Sequence, residues 1–453
     1  MSQTNNYRYR LIARVVIEAQ TPLAVGSGDK EIYTDATVAR DVNRLPYIPG
    51  SSIAGVVRHA LRDGGIKEEE LNRFFGFQRA DSGRGSEVIF SEAKMIGADG
   101  TAIDGLQSID FNDDFYRHYN SLPVRQHVRI SHRGAADDHG KFDGEIVPTG
   151  TRFRFGMEVV SLESGSDLFR RALAALGSAE FRIGGGSRKG FGKMSVISCQ
   201  VKTFDLMKPG DLAAYLDHQS SLDSPFDGEE ETPETATSAT VYELTLKPVD
   251  FFLFGAGYGD SESDLVPVKG KRVEWGSGNA TVAENLVLIP ASSLKGALAH
   301  RVAYYYNKAK GNYAENVRNV GEEALTVNNP AVVALFGSAD PNNKKRGNLL
   351  FGDIIASTAT DKIFNHVCID RFTGGTIDGA LFQQKATYAP GAEYTTAITL
   401  TAAVDHDVQL ALESALNDLC RGMLPLGGSV TKGHGCFTGS WQKIEPQTPS
   451  QPC

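Results

Sequence analysis

The chain has 453 residues, 41% of them hydrophobic, and a net charge of −9. That length and apolar content suffice for two domain-sized cores and exclude a disordered or fibrous chain. The negative charge excludes a protein that binds nucleic acid over its whole surface, but not one with a local basic groove.

Met1 to Asn6 shows no apolar run behind a basic one, and no later stretch is long and apolar enough to span a bilayer, so the chain reads as cytoplasmic and without membrane contact. Five cysteines, odd in number and never spaced Cys-x-x-Cys, read as packing residues and not as a disulfide framework or zinc site. Tyr9 to Ala19, with the β-branched run Val15, Val16 and Ile17, predicts a first strand. Pro22 and a glycine-rich loop, Gly26 to Gly28, lead to Asp35. Ile48-Pro49 precedes Ser51 and Ser52, either of which suits an N-cap. Ile53, Val56, Val57, Ala60 and Leu61 then fall at helical spacing and predict an amphipathic helix. Arg125, Arg129, Arg133, Lys141, Arg152 and Arg154 form a basic stretch with His127, His132 and His139. A second helix, about Leu168 to Leu176, runs into a glycine loop, and a strand from Lys193 to Ser198 follows.

Residues 216–238 read as an acidic flexible linker, because Ser220 to Thr235 holds six acids, two prolines and no Lys or Arg. Beyond it the pattern restarts. Tyr242, Leu244 and Leu246 alternate with polar residues as a strand, Pro248 leads to a second glycine-rich loop, Gly255 to Gly259, and Ile289-Pro290 precedes Ser292, Ser293 and another helix. A late helix, Gln409 to Cys420, a glycine loop and a strand from Phe437 to Lys443 close the repeat. The tail, 445–453, reads as disordered.

Four landmarks recur in the same order. Asp35-Ala36-Thr37-Val38 pairs with Asn279-Ala280-Thr281-Val282, Ile48-Pro49 with Ile289-Pro290, Phe75-Gly76 with Phe336-Gly337, and Gly184-Gly185 with Gly427-Gly428. The chain is therefore a tandem duplication, with domains at 1–215 and 239–444. Strand, helix, middle strands, helix, strand predicts an α+β protein of two tandem ferredoxin-like βαββαβ domains, RRM-like in order, each enlarged by insertions.

The chemistry points to phosphate. Gly184, Gly185, Gly186, Ser187, Arg188 and Lys189 in one half, and Gly427, Gly428 and Lys432 in the other, put backbone N–H groups beside positive charge. A nucleotide P-loop is excluded, since Gly192-Lys193 is followed by Met194 and a strand. The helix starts at Ser51, Ser52, Ser292 and Ser293 suit a backbone phosphate. Lys295 sits where a cation opposes the helix dipole, a conflict that an anionic ligand resolves, and the first copy carries Arg58 one turn later. Among catalytic groups only loop carboxylates remain. Asp35 is the candidate to hold Mg²⁺ or another divalent cation transiently against a scissile phosphate, or to orient a ribose 2′-hydroxyl. Asn279, paired with it by sequence, cannot act as a base, so Asp260 and Asp264 in the second loop are the candidate substitutes.

Taken together, the Asp35 loop, Leu45-Pro46-Tyr47-Ile48-Pro49-Gly50-Ser51-Ser52 and the terminal glycine loops resemble the RAMP superfamily of CRISPR-associated proteins, specifically the backbone subunits of type III effector complexes. The resemblance spans roughly residues 7 to 200 and 240 to 443. Ile369-Asp370-Arg371-Phe372-Thr373-Gly374-Gly375 resembles the segment near the thumb hairpin of such subunits, whereas the first half departs from it there. The resemblance implies a palm that holds guide RNA by its backbone, a thumb between guide and complementary target RNA, and neighbouring effector subunits in a filament. It also implies target cleavage by the loop aspartate with a divalent metal, through attack by the adjacent 2′-hydroxyl. Other readings are a guide-processing endoribonuclease of the same superfamily, an RNA-binding scaffold that cuts nothing, and an enzyme acting on a small phosphorylated molecule.

Overall fold

In a computed structural model the described residues are 7–28, 34–131, 135–233, 239–277, 279–313, 315, 325–338, 340 and 344–445. The first unit comprises β1 (Tyr9–Ala19), α1 (Gly50–Asp63), β2 (Val88–Phe90), a hairpin of β3 (Val124–Ile130) and β4 (Ala136–Glu145), β5 (Arg152–Ser161), α2 (Asp167–Gly177), β6 (Met194–Asp205) and β7 (Glu229–Glu230). Its main sheet runs β7-β6-β1-β5-β2 with antiparallel neighbours.

The second unit repeats the plan. It holds β8 (Thr240–Pro248), a hairpin of β9 (Lys269–Trp275) and β10 (Ala280–Ile289), α3 (Ala291–Ala309), β11 (Leu349–Leu350), β12 (Ile354–Ala356), a hairpin of β13 (Thr360–His366) and β14 (Phe382–Tyr388), β15 (Tyr394–Leu400), α4 (His406–Cys420) and β16 (Phe437–Ile444). Its main sheet runs β11-β15-β8-β16. In both units the first strand lies between the strand after the long hairpin and the strand after the glycine loop, β1 between β5 and β6 and β8 between β15 and β16.

Each core lies between the sheet and its two helices. Ile53, Val57 and Leu61 of α1 and Leu173 and Leu176 of α2 meet Leu11, Ala13, Val15 and Ile17 of β1. Leu294, Leu298 and Val302 of α3 and Leu412, Leu416 and Leu419 of α4 meet Tyr242, Leu244 and Leu246 of β8. The α1 stripe buries what its helical spacing places inward, but its N-cap is Pro49, without a side-chain bond, and Pro290 stands in that place before α3. Ser51, Ser52, Ser292 and Ser293 therefore sit inside the first turn, because each proline, fixed near its preferred φ, already sets the entry.

The acidic segment is a correction in part. Residues 217–233 do not hang free: Arg14, 7% exposed, donates to the carbonyls of Ser221 and Ser224, Leu222 is buried, and β7 pairs with β6. A guanidinium surrounded by carbonyls holds such a strap where composition alone predicts none. Residues 234–238 and the tail from 446 lie outside the described residues. Among the cysteines, Cys199 is buried but Cys368 is exposed, so packing does not explain them all.

The two units share core. The β9–β10 hairpin of the second unit reaches over the first, with Val273 N–H donating to Thr149 O (2.8 Å), Trp275 Nε1 to Gly150 O (2.8 Å) and Ala280 N–H to Ala98 O (2.8 Å). Val273 and Ala280 are buried with the first unit's core.

Candidate functional site

Each first strand leads into a loop that folds back on itself and docks against the second strand of its own long hairpin. In the first unit Leu23 bridges Val147 and Gly26 bridges Val38; in the second, Phe252 bridges Thr387 and Gly255 bridges Pro267. The inner bonds repeat as well: Ser27 N–H to Thr37 O (3.0 Å) answers Ala256 N–H to Val266 O (2.9 Å), and Ala39 N–H to Val25 O (2.8 Å) answers Val268 N–H to Phe254 O (2.7 Å). This register makes Asp264 the counterpart of Asp35, three residues before Pro267 as Asp35 is before Val38. Asp35 Oδ2 accepts from Asp143 N–H (3.1 Å), and Asp264 Oδ2 accepts from the matching Gln383 N–H (2.8 Å). Both carboxylates are exposed.

The pairing of Asp35 with Asn279 is thereby overturned. Asn279 lies at the tip of the β9–β10 hairpin, beside Ala98 and Asp99 of the first unit, in a cleft of about 310 Å³. Asp260 belongs to the second loop but is otherwise engaged: Oδ1 accepts from Glu262 and Ser263 N–H (both 2.9 Å), and Oδ2 accepts from Lys385 Nζ (2.6 Å), which holds its carboxyl below the usual range. The loop lies at the joint between units, since a Cβ at Gly257 would come within 2.3 Å of Gln126 Oε1 from the first hairpin.

The glycine loops pack against the chain just after each first strand. Gly185 N–H donates to Ala24 O (2.7 Å) and Gly192 N–H to Pro22 O (2.8 Å); Gly428 N–H donates to Leu253 O (2.7 Å) and Gly435 N–H to Phe251 O (2.8 Å). Gly184 and Gly427 have φ of 84° and 85°, and a side chain on either would strike the carbonyl of Ala24 or Leu253 at 2.4 Å. Part of the glycine content thus serves close backbone packing. Between these anchors the short helical turns Ser187–Lys189 and Val430–Lys432 present the basic side chains.

In the first unit that turn meets the start of α3. A Cβ at Gly190 would lie 2.3 Å from Ala291 Cβ, Arg188 Nε donates to Gly347 O, and Arg125 Nη1 donates to Asp353 Oδ2 (2.9 Å), with both ionic groups buried. Asp353 Oδ1 also accepts from Ala291 N–H (2.8 Å), satisfying one of the helix's open donors. Cations of one sign gather around this contact. Arg182 is 7% exposed, and its Nε and Nη1 have no hydrogen-bond partner among the described residues. Burial, with Arg188 nearby, pushes its pKa down to about 10, and burial with Arg346 nearby does the same for Arg188. Burial also lowers Lys189, burial and then Arg182 lower Lys193, and burial followed by Lys189 and Arg188 lowers Lys295. Desolvated like charges of this kind are costly until an anion arrives.

A sequence profile of the RAMP superfamily matches residues 16–195 and 250–438, one region in each unit. The chain belongs to the RAMP superfamily. Members of this superfamily are typically CRISPR-associated RNA-binding proteins, and some are endoribonucleases. A comparison with curated proteins gives no match. No helix among the described residues is long and apolar enough to cross a membrane.

Within this RAMP pair the remaining candidates divide. Lys189, over the ring of Phe142, meets Lys295 at the joint, and Lys432, one unit on, lies over the corresponding ring of Phe382. Arg58 is engaged on the surface of its own unit, donating to Glu68 (2.7 Å) and Asn72 (2.6 Å), and Arg125 is consumed by Asp353, so neither points to a ligand. Arg129 is exposed on β3, and Arg133 lies outside the described residues. Sequence reading missed Asp143, Arg182, Lys193 and Asp353. The equal spacing of Gly26 to Asp35 and Gly255 to Asp264 was the signal for the true register; nothing local marks Arg182, whose counterpart position in the second unit is Pro425.

Proposed function

We propose that this RAMP protein is a two-unit backbone subunit of a type III CRISPR effector complex, that it binds the guide RNA, and that it cuts complementary target RNA at two loop carboxylates, Asp35 and Asp264. In this reading each unit is a ferredoxin-like palm, the β3–β4 and β13–β14 hairpins are thumbs, and other effector subunits extend the filament in the cytoplasm.

The observation that carries the proposal is the cationic joint. Arg182, Lys193, Arg188, Lys189 and Lys295 come from both units yet converge, with Arg182 Nε and Nη1 unpartnered among the described residues, which suits a phosphodiester crossing from one unit to the next. Sequence is then read by base pairing with the guide, and the protein needs only backbone contacts.

No group of three metal-binding side chains occurs among the described residues. A lone exposed carboxylate with Asp143 hydrogen-bonded beside it fits a hydrated divalent cation shared with a phosphate, not a closed protein cage. Such a cation, when bound, neutralises charge on the scissile phosphate. Asp35 and Asp264 orient the attacking 2′-hydroxyl and accept its proton as its oxygen bonds to phosphorus; the bond from phosphorus to the 5′-oxygen breaks, that oxygen leaves with a proton from water, and the hairpins behind fix where along the target this happens.

The test is cut mapping on a complementary RNA with the assembled complex. D35A removes one cut and D264A another, each by about a hundredfold or more, with guide content unchanged. An unaltered cut pattern in both variants leaves a scaffold that binds RNA and cuts nothing.

A further inference from the structure

The two carboxylates occupy one position in the fold but are held there differently. In the first unit the loop is fastened by side chains of β4: Asp35 N–H donates to Asp143 Oδ1 (3.0 Å) and Val38 N–H to Glu145 Oε2 (3.0 Å). In the second unit the same two positions of β14 are Gln383 and Lys385, and the main chain supplies the acceptor for the aspartate's amide. Asp264 N–H donates to the backbone carbonyl of Gln383 (2.9 Å), whereas the next main-chain bond is common to both units, Glu145 N–H to Ala36 O (2.9 Å) in the first and Lys385 N–H to Leu265 O (2.8 Å) in the second. Pro267, in the place of Val38, has no N–H to satisfy. The Gln383 side chain is directed elsewhere, its Nε2 donating to Asn365 Oδ1 (2.9 Å).

We infer that Asp143 is a positioning residue for Asp35, acting as a hydrogen-bond acceptor that fixes the loop against the hairpin, and that the Gln383 side chain has no such role toward Asp264. This rests on the reading of Asp35 and Asp264 as the cutting groups. Without the Asp143 carboxylate the Asp35 amide loses its acceptor, and the loop keeps only one arm of the reciprocal pair, the backbone N–H of residue 143 on the Asp35 carboxylate. A misplacement of about 1 Å at such a group costs about a hundredfold in rate.

The experiment measures each cut separately in the assembled complex for D143A, D143N and Q383A, with D35A as control, and follows amide hydrogen exchange across residues 34–38. D143A slows the Asp35 cut by about ten- to a hundredfold at saturating target and speeds exchange, while the Asp264 cut stays unchanged. D143N, which keeps the accepting oxygen, restores both to within a few-fold, and Q383A alters neither cut. The inference is overturned if D143A leaves the Asp35 cut and loop exchange as they are, or if D143N is as damaged as D143A, which would assign the effect to charge instead of to the acceptor. If D35A itself leaves cleavage intact, the cutting role fails, and the exchange measurement still decides whether Asp143 holds the loop.

Discussion

The hairpin of the first unit presents Arg125, His127, Asp143 and Glu145; that of the second presents Phe364, His366, Gln383 and Lys385 at the corresponding places. The stacks beside them correspond: His127 lies on Phe142 with Lys189 over the ring, and His366 lies on Phe382 with Lys432 over it. The polar partners do not correspond at all. What repeats is a backbone register, and side chains are free to differ wherever the main chain already supplies the bond. The first hairpin faces the second unit and so carries a buried ion pair, whereas Phe364 packs on Phe251 and His434.

That contrast breaks most sharply at Arg125. R125A leaves Asp353 buried without its cation and is expected to cost about 3–5 kcal/mol in a denaturant titration. F364A, which removes part of an aromatic cluster that remains half open, costs clearly less, and equal losses would contradict the division between an ionic inner face and an aromatic outer one. Next in size is the register itself. D264N lowers the second cut by about a hundredfold while N279A leaves every cut unchanged; sensitivity at Asn279 would restore the sequence pairing. Smaller again, K189A and K295A each reduce the salt dependence of guide RNA binding by about 0.7 in logarithmic slope, the value for one phosphate on a single strand, read from titrations at several salt concentrations. The smallest effect concerns acid. Burial, then Lys189 and Arg125, push the pKa of His127 down to about 4. A folded value below the ordinary one near 6.5 means stability that is present above that pH and lost as pH falls toward 4. The two values alone correspond to about 2 kcal/mol between pH 7 and pH 5; screening by solvent at the partly exposed ring reduces the expected difference in urea unfolding to about 1 kcal/mol, and H127F abolishes that share.

Much of this was legible from the residues. The duplication, β1 to its last residue, both late helices and both glycine loops follow from periodicity and punctuation, which are local signals. The failures are those of non-local bonds. Asn279-Ala280-Thr281-Val282 copies the letters after Asp35, but an inserted hairpin separates it from the true loop, and only the pairings of Gly255 with Pro267 and Phe252 with Thr387 reveal the shift. Residues 217–233 have the composition of a linker, and the guanidinium that holds them comes from Arg14, some two hundred positions earlier. Arg182 is invisible as well, since nothing in its local sequence marks a buried guanidinium.

The β9–β10 hairpin carries one more consequence. Because Val273 and Ala280 fill space inside the neighbouring half, the boundary of the duplication is not the boundary of independent folding. A fragment ending near Pro233 would expose a greasy hollow and an unanswered carbonyl at Gly150, so dissecting the protein at its most obvious seam would create an adhesive piece instead of a well-behaved one.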